Sequence, residues 1–470
     1  MMETGRSHRR CGWLLAALVG AALSGTPAAA EWTLSLPTFA PCASASRPAL
    51  PNRWRAVSLM MPFFEGQIDV GEFVYDGELK AMRATVYGLE SGAVDLLITG
   101  ADTYLLSGPH DAPTHCKSLG NRFSPPMAHW LSERAACIGR TRLPQRPVEL
   151  WKTPGAGEQA TWLWLTADSR LPWRSVFVAR SLDPAVIGDY AMTYFPTFAP
   201  LAEMNLSGLQ ELCSAEPKPG AATTGATVPT ARQLMAFRNE AAEAERDKRI
   251  ATLIPGLSHR ACSRMQRVRW RDRFIMTATL TPGRFEEDPY LTVIYYDWND
   301  AKTQLAIMLQ GRPPVPKGIV SLKKRIGYRI ERLASGGATC EAVFPGIVRP
   351  DWMTTAGCGC KAVISRDSAL SPDGETQILS CPIKWQGKRI MWNWYRANGY
   401  PVVFMEAAAQ NGGVMLADYH DWQPGRTGTA KDFELPKFCQ VPGKSDQPPA
   451  RRHQTTLSNI SCSDCHTTPW

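Results

Sequence analysis

Short runs of β-branched, aliphatic and aromatic residues, separated by polar turns, recur along this chain and predict strands joined as hairpins. Leu291-Thr-Val-Ile-Tyr-Tyr and the run from Gln304 to Leu309 flank one such turn. Earlier in the chain, Glu72 to Tyr75 and Met82 to Tyr87 do the same around Asp76-Gly77. Trp162 to Leu165 with Val176 to Ala179 form another pair, mirrored by Met391 to Tyr395 with Val402 to Ala407. Successive hairpins imply antiparallel sheet. One helix stands apart: Ala231 to Leu253, rich in Ala, Glu and Arg, with Leu234, Met235 and Phe237 early and Ile250 and Leu253 late. It stops at Pro255-Gly256 and is expected to pack across the sheet that follows it.

The pattern occurs twice. Tyr75-Asp76 matches Tyr296-Asp297, Cys116 matches Cys340, and Trp130 matches Trp352. Trp162-x-Trp164 matches Trp392-x-Trp394, followed by Pro172 or Pro401. Asp189-Tyr190 matches Asp418-Tyr419, and Cys213 matches Cys439, with Cys42/Cys262 and Cys137/Cys360 extending the series. Collinear anchors at nearly constant spacing indicate an internal repeat. The expected organisation is a removable leader over 1–30, a first copy over 31–213, a linker over 214–233 and a second copy over 234–440. A tail over 441–470 completes it. The fold class is mainly β: two tandem curved antiparallel sheets, or half-barrels, with covering helices and a flexible C-terminal tail.

Composition places the chain in a compartment. Arg6, Arg9 and Arg10 precede the apolar stretch Leu14 to Leu23, and Ala28-Ala29-Ala30 offers a cleavage site, the layout of a secretory signal. A periplasmic or secreted protein with no transmembrane segment is expected. Removing Arg6, Arg9, Arg10 and Glu3 lowers the formal net charge from +9 to +7. Arg and Lys are scattered apart from Lys323-Lys324-Arg325 and Arg451-Arg452, which argues against nucleic-acid binding. Without Cys11, twelve of the 13 cysteines remain, a count suited to a disulfide framework.

Candidate chemistry sits at the end of the chain. Cys462-Ser463-Asp464-Cys465-His466 has the spacing for covalent c-type haem attachment: two thiols for the vinyl groups and an adjacent imidazole for the iron. The expected cofactor is one haem c on Cys462 and Cys465, with His466 as proximal ligand. Only four residues follow, so a sixth ligand would come from upstream, from a partner or from water. His453 and His420 are the candidates, ahead of Met415 and Met405. The competing readings of the motif are a reducible disulfide and a zinc half-site. No Gly-x-Ser-x-Gly, His-Glu-x-x-His or phosphate-binding glycine loop is present, and an enzyme is not expected.

Three segments of the second copy carry a family resemblance: Ile294-Tyr-Tyr-Asp-Trp, then Asp418-Tyr-His-Asp-Trp422-x-Pro-Gly425, then Phe433-x-x-Pro436-x-x-Cys439. In these the chain resembles the ependymin-related group within the lipoprotein-carrier (LolA-like) half-barrels. The resemblance implies curved, helix-covered antiparallel sheets around an apolar cavity, braced by disulfides. It covers about 170 residues of the second copy and fits the first more loosely. Neither group is defined by a haem. The paired tryptophans could line such a cavity or fill a core, and core filling is the expected role. Asp297 and Asp418 are expected in turn and edge hydrogen bonding.

Four cysteines in the first copy permit three connectivities. The expected one is Cys42–Cys213, joining the domain ends, with Cys116–Cys137 closing a loop. By analogy the second copy would use Cys262–Cys439 and Cys340–Cys360, leaving Cys358–Cys381. The functional expectation is an exported mono-haem electron carrier whose duplicated half-barrel binds a redox partner protein or an apolar ligand. The alternative is a haem-free carrier of hydrophobic small molecules or lipid, or a disulfide-rich structural module.

Overall fold

The structure, a computed structural model, describes most of residues 39–426 together with Phe433. The longest internal segments outside the described residues are 177–189, 216–239, 260–268 and 382–390, and the strands between 305 and 343 are described by their backbone path. The first sheet contains β1 (Arg53–Pro62), β2 (Asp69–Asp76), β3 (Ala81–Gly88), β4 (Ala93–Ile98), β5 (Thr103–Ser107) and β6 (His115–Ser118). It continues with β7 (Ala136–Arg142), β8 (Pro147–Pro154), β9 (Ala160–Thr166), β10 (Pro172–Val176) and β11 (Tyr190–Pro200). Helices α1 (Ser207–Ser214) and α2 (Glu240–Leu253) follow.

The second sheet contains β12 (Leu257–Ser258), β13 (Arg273–Thr281), β14 (Tyr290–Asp297), β15 (Leu305–Gln310), β16 (Pro314–Ser321) and β17 (Ile326–Arg332). The remaining strands are β18 (Ala338–Val343), β19 (Gly359–Ile364), β20 (Thr376–Cys381), β21 (Met391–Arg396), β22 (Pro401–Ala408) and β23 (Gly413–Pro424). Among the described residues no helix is long and apolar enough to cross a membrane.

The two sheets have one topology. The first runs β6-β5-β4-β3-β2-β1-β11-β10-β9-β8-β7. The second runs β18-β17-β16-β15-β14-β13-β23-β22-β21-β20-β19, with β12 added beyond β19. In each, the first and last long strands pair at the centre; the chain steps outward to one edge, crosses to the other and steps back inward, so neither sheet closes into a barrel. All pairings are antiparallel, the arrangement that short hairpin loops permit.

Register gives the correspondence residue by residue. Arg53 faces Asp76 and Arg273 faces Asp297, with ion pairs at 3.0 and 3.1 Å. Cys137 and Cys360 each sit at a bulge in the pairing with the next strand. Such bulges bend a strand and sharpen its twist. Trp164 pairs with Arg174, Arg174 with Tyr194, and Tyr194 with Leu59. The counterpart path runs Trp394, Val403, Asp418, Thr279. One sequence match is therefore corrected: the position corresponding to Asp418 is Tyr194, whereas Tyr190 lies opposite Pro62 and Asp189 lies outside the described residues.

The sheets are not independent. Corresponding faces pack on each other and form one core that includes Leu59, Met61, Trp162, Trp164 and Tyr194 with Met276, Trp392, Trp394 and Met405. Tyr194 stacks on Trp394 with ring centroids 4.4 Å apart. The Trp162 indole donates to the Pro282 carbonyl at 2.6 Å, and the Trp394 indole approaches Met61 Sδ at 3.2 Å. Trp162, Trp164, Trp392 and Trp394 are at most 1% exposed. At these positions the rings plug the core.

Three expectations are revised. Strand β10 begins at Pro172 rather than Val176, as Leu165 opposite Pro172 sets the turn. Helix α2 packs on β2, β3 and β4 of the first sheet as well as on β12, rather than across its own sheet alone. Its Ile250 and Leu253, with Ile254 just past its end, form an i, i+3, i+4 stripe that joins the shared core. Its predicted first turns, 231–239, lie outside the described residues. The third concerns the disulfides.

In the first copy these are Cys42–Cys137 and Cys116–Cys213, not Cys42–Cys213 and Cys116–Cys137. The reason is topological. The chain ends of the copy are already joined by the β1–β11 pairing, and from there the two flanking arms diverge. Ala40 bridges Arg140 at the β7 edge, where Cys42 meets Cys137. Helix α1 runs to the β6 edge, where Cys213 meets Cys116 in a cluster with Leu97 and Leu106. Each bridge thus fastens a cover onto an end strand, which also shields an otherwise open edge.

Candidate functional site

Arg174 is the least expected residue of the inter-sheet core. It lies in the apolar run of β10, fully buried, and its guanidinium carries two hydrogen bonds to Asp418, both at 2.7 Å. The same group donates to Tyr194 Oη at 3.2 Å and lies 3.8 Å from the centre of the Trp164 ring. Burial alone would lower the Arg174 pKa; the Asp418 carboxylate outweighs it and the net shift is upward. Burial likewise pushes the Tyr194 phenol up to about 12. In place of the turn and edge hydrogen bonding expected of it, Asp418 is a buried counter-ion, because β23 runs through the centre of the second sheet and faces the first.

His420, two residues on, has Nε2 2.7 Å from Thr279 Oγ1, and its carbonyl accepts from Tyr400 Oη at 2.6 Å. Burial lowers its pKa, followed by weaker opposing effects of Asp418 and Arg174. Iron ligation through Nε2 would require breaking the Thr279 contact. Met405 is fully buried. For Met415 the backbone alone is described, and His453, Cys462, Cys465 and His466 lie outside the described residues. Of the other cysteines, Cys360 is disulfide-bonded, while Cys262, Cys358 and Cys439 lie outside the described residues and Cys340 and Cys381 are placed by backbone.

A second polar cluster forms where α2 meets the first sheet. Glu72 accepts from Arg55 Nη2 at 2.5 Å through one oxygen and from Arg249 Nη2 at 2.8 Å through the other. Asp95 accepts from Arg83 and from Thr85 Oγ1, each at 3.0 Å. His110, on the β5–β6 connection, has Nδ1 3.3 Å from Tyr87 Oη and Nε2 3.1 Å from Arg249 Nη2. Burial, then Arg83, lower the His110 pKa, so the ring is neutral near pH 7 and accepts from Arg249. Burial would raise the Glu72 pKa, but the bond to Arg249 and the charges of Arg249 and Arg55 together bring it below the usual carboxylate value. With both oxygens of each carboxylate engaged, neither is free to take a substrate proton. The cluster fastens α2 to the sheet.

This cluster is particular to the first copy. Arg55, Glu72, Arg83 and Thr85 correspond by register to Ile275, Val293, Ala306 and Met308. No sequence motif marks this cluster, which is assembled from β1, β2, β3, β4, the β5–β6 connection and α2. The available signal was a charge inside an otherwise apolar strand run, as with Asp95 in Ala-Val-Asp-Leu-Leu-Ile.

Beside the cluster, a half-open cleft of about 190 Å³ lies along α2. Leu89, Ile250 and Leu257 give it an apolar floor, and Asp247, Ser258 and His259 give it a polar rim. One further grouping has ligand-like composition: Cys42, Cys137 and Glu149 bring their sulfur and oxygen atoms within 4.8 Å. The two sulfurs are bonded to each other, and Glu149 is engaged by the Ala43 N–H, the Trp151 indole and Arg170. In this oxidised form the group has no free sulfur ligand for a metal.

The turn role expected for Asp297 is observed. It accepts from the Asn299 N–H at 2.9 Å and from Arg273 at 3.1 Å, as Asp76 accepts from the N–H groups of Glu78 and Leu79. Phe433 of the third resemblance segment is buried and lies near Tyr295, with centroids 6.4 Å apart.

No model of a known protein family matches this chain, and no curated protein matches it in sequence. Among solved structures it is similar to an uncharacterized conserved protein from Thermus thermophilus, at 14% identity and a TM-score of 0.24. That match covers 36% of this chain and 88% of that one. It is also similar to MucB in complex with MucA(peri), at 12% identity and 0.21, covering 63% and 89%. A third is the LolA superfamily protein NE2245 from Nitrosomonas europaea, at 11% and 0.20, covering 38% and 98%. Scores this low carry no argument about this chain.

Proposed function

We propose that this chain is an exported binding protein whose ligand is a small molecule with a short apolar body, held at the cleft along α2. The observation that carries the reading is the contrast, among the described residues, between the packed inter-sheet core and this open cleft. In a lipid carrier of the half-barrel type the concave face would stay available. Here the corresponding faces of two sheets consume each other, with tryptophan and tyrosine rings between them. A cleft of about 190 Å³ lies below the roughly 300–1,000 Å³ usual for drug-sized ligands, so a diacyl lipid does not fit it. The leader sequence and the disulfides at Cys42–Cys137 and Cys116–Cys213 support export.

Calorimetric titration of the mature protein with hexanol, and organic extraction with mass spectrometry of the protein as purified, test this reading. Saturable hexanol binding that Leu257→Trp abolishes, without stoichiometric diacyl lipid in the extract, supports it. A stoichiometric lipid, or hexanol binding unchanged in Leu257→Trp, refutes it.

A second reading rests on its own observation, the Cys462-Ser-Asp-Cys465-His466 motif. In it the tail carries one haem c and exchanges electrons with a redox partner protein, and the double sheet is the body to which the haem is tethered. The two readings are separable, since cleft binding and haem attachment involve different parts of the chain.

A further inference from the structure

The two faces that meet in the core are the same face of two like sheets, which is the geometry of an isologous homodimer built into one chain. Trp164, Arg174, Tyr194 and Leu59 run across one face, and Trp394, Val403, Asp418 and Thr279 run across the other at corresponding positions. Across the interface Tyr194 meets Trp394 and Arg174 meets Asp418. A surface of this kind is self-complementary by construction. A first copy could therefore pair with the first copy of another molecule.

We propose that the Arg174–Asp418 pair makes each copy reject its own kind and accept only the other. In a first-copy/first-copy pairing, Arg174 would face a second Tyr194 and bury its charge without a carboxylate. In a second-copy/second-copy pairing, Asp418 would face a second Val403 and be equally stranded. Only the mixed pairing supplies opposite charges, and it does so at the centre of the interface, where Arg174 and Asp418 are 0% and 1% exposed at their side chains. Truncating one partner of such a pair strands the other, whereas replacing both with apolar residues is often neutral for stability. The contribution of the pair is therefore selection between partners, achieved by penalising the wrong ones. This inference is independent of what the cleft binds.

The test uses the full mature chain with its disulfides intact. Arg174→Val with Asp418→Tyr makes the two faces alike at these positions, following the pattern that Val403 and Tyr194 already supply. Arg174→Met with Asp418→Leu is a second double variant that removes both charges without adding a ring. Each protein is unfolded in denaturant, refolded over a hundredfold range of concentration and sized by light scattering. The expected result is that wild type returns as a single species across the range, while a double variant that folds forms dimers and larger species increasingly with concentration. Refolding of both double variants to wild-type dispersity overturns the proposal. So does wild type that associates to the same extent.

Discussion

Arg174 and Asp418 stand 244 residues apart in sequence and share two hydrogen bonds of 2.7 Å in the centre of the protein. Each belongs to a different sheet, so the bond at the centre of the core cannot form within either sheet. The two sheets consequently share one core.

Asp418→Ala is expected to destabilise the protein by about 3–5 kcal/mol, since it strands a buried guanidinium. Denaturant unfolding followed by tryptophan fluorescence and by far-ultraviolet circular dichroism checks this, and the two probes should report one coincident transition. A variant that loses one transition and keeps another would show that the sheets fold separately.

Non-reducing peptide mapping should return Cys42–Cys137 and Cys116–Cys213. Since Cys360 occupies the register position of Cys137, and Cys340 that of Cys116, the second copy should show Cys262–Cys360 and Cys340–Cys439. Replacing Cys42 and Cys137 together by serine should cost about 2–4 kcal/mol, the usual contribution of a disulfide closing a long loop.

Stability should fall on mild acidification. His110 is buried and His420 half-buried, and the desolvation lowers both pKa values, so the unfolded chain binds protons that the folded one refuses. Their contribution is complete above the unfolded value of about 6.5 and is lost progressively as pH falls below it. Urea midpoints measured between pH 7.5 and 5 should decline, and His420→Gln should flatten the slope. Glu72, held low by its arginines, adds a further loss only below about pH 4.5.

Expression alongside a cytochrome c maturation system, followed by haem staining of a denaturing gel, reads out the tail. A stained band that disappears in Cys462→Ser with Cys465→Ser supports haem attachment. An unstained wild-type band with no Soret absorbance removes that reading and leaves the cleft-binding one untouched.

The strands were legible because their signal is local. The hairpins at Asp76-Gly77 and after Asp297 and the Trp-x-Trp strands follow from side-chain alternation and turn chemistry. Cys116 and Cys340, and Trp164 and Trp394, hold corresponding positions in the strand pairings of the two sheets. Repetition in a sequence is visible without knowing what the repeated surface touches.

Partners across the core were not legible. Asp418 looks like a turn residue in its own segment and becomes a counter-ion only because β23 lies at the centre of a sheet whose face is turned toward Arg174. Cys42 and Cys213 look like the two ends of a domain, yet the β1–β11 pairing holds those ends and sends the arms to opposite edges. Glu72, His110 and Arg249 converge because α2 crosses onto the sheet of the other copy. Alternation, turns and repeats are encoded between neighbours, whereas these contacts join residues separated by tens to hundreds of positions. Which charges meet is decided by how two equivalent faces bury their apolar surface against each other.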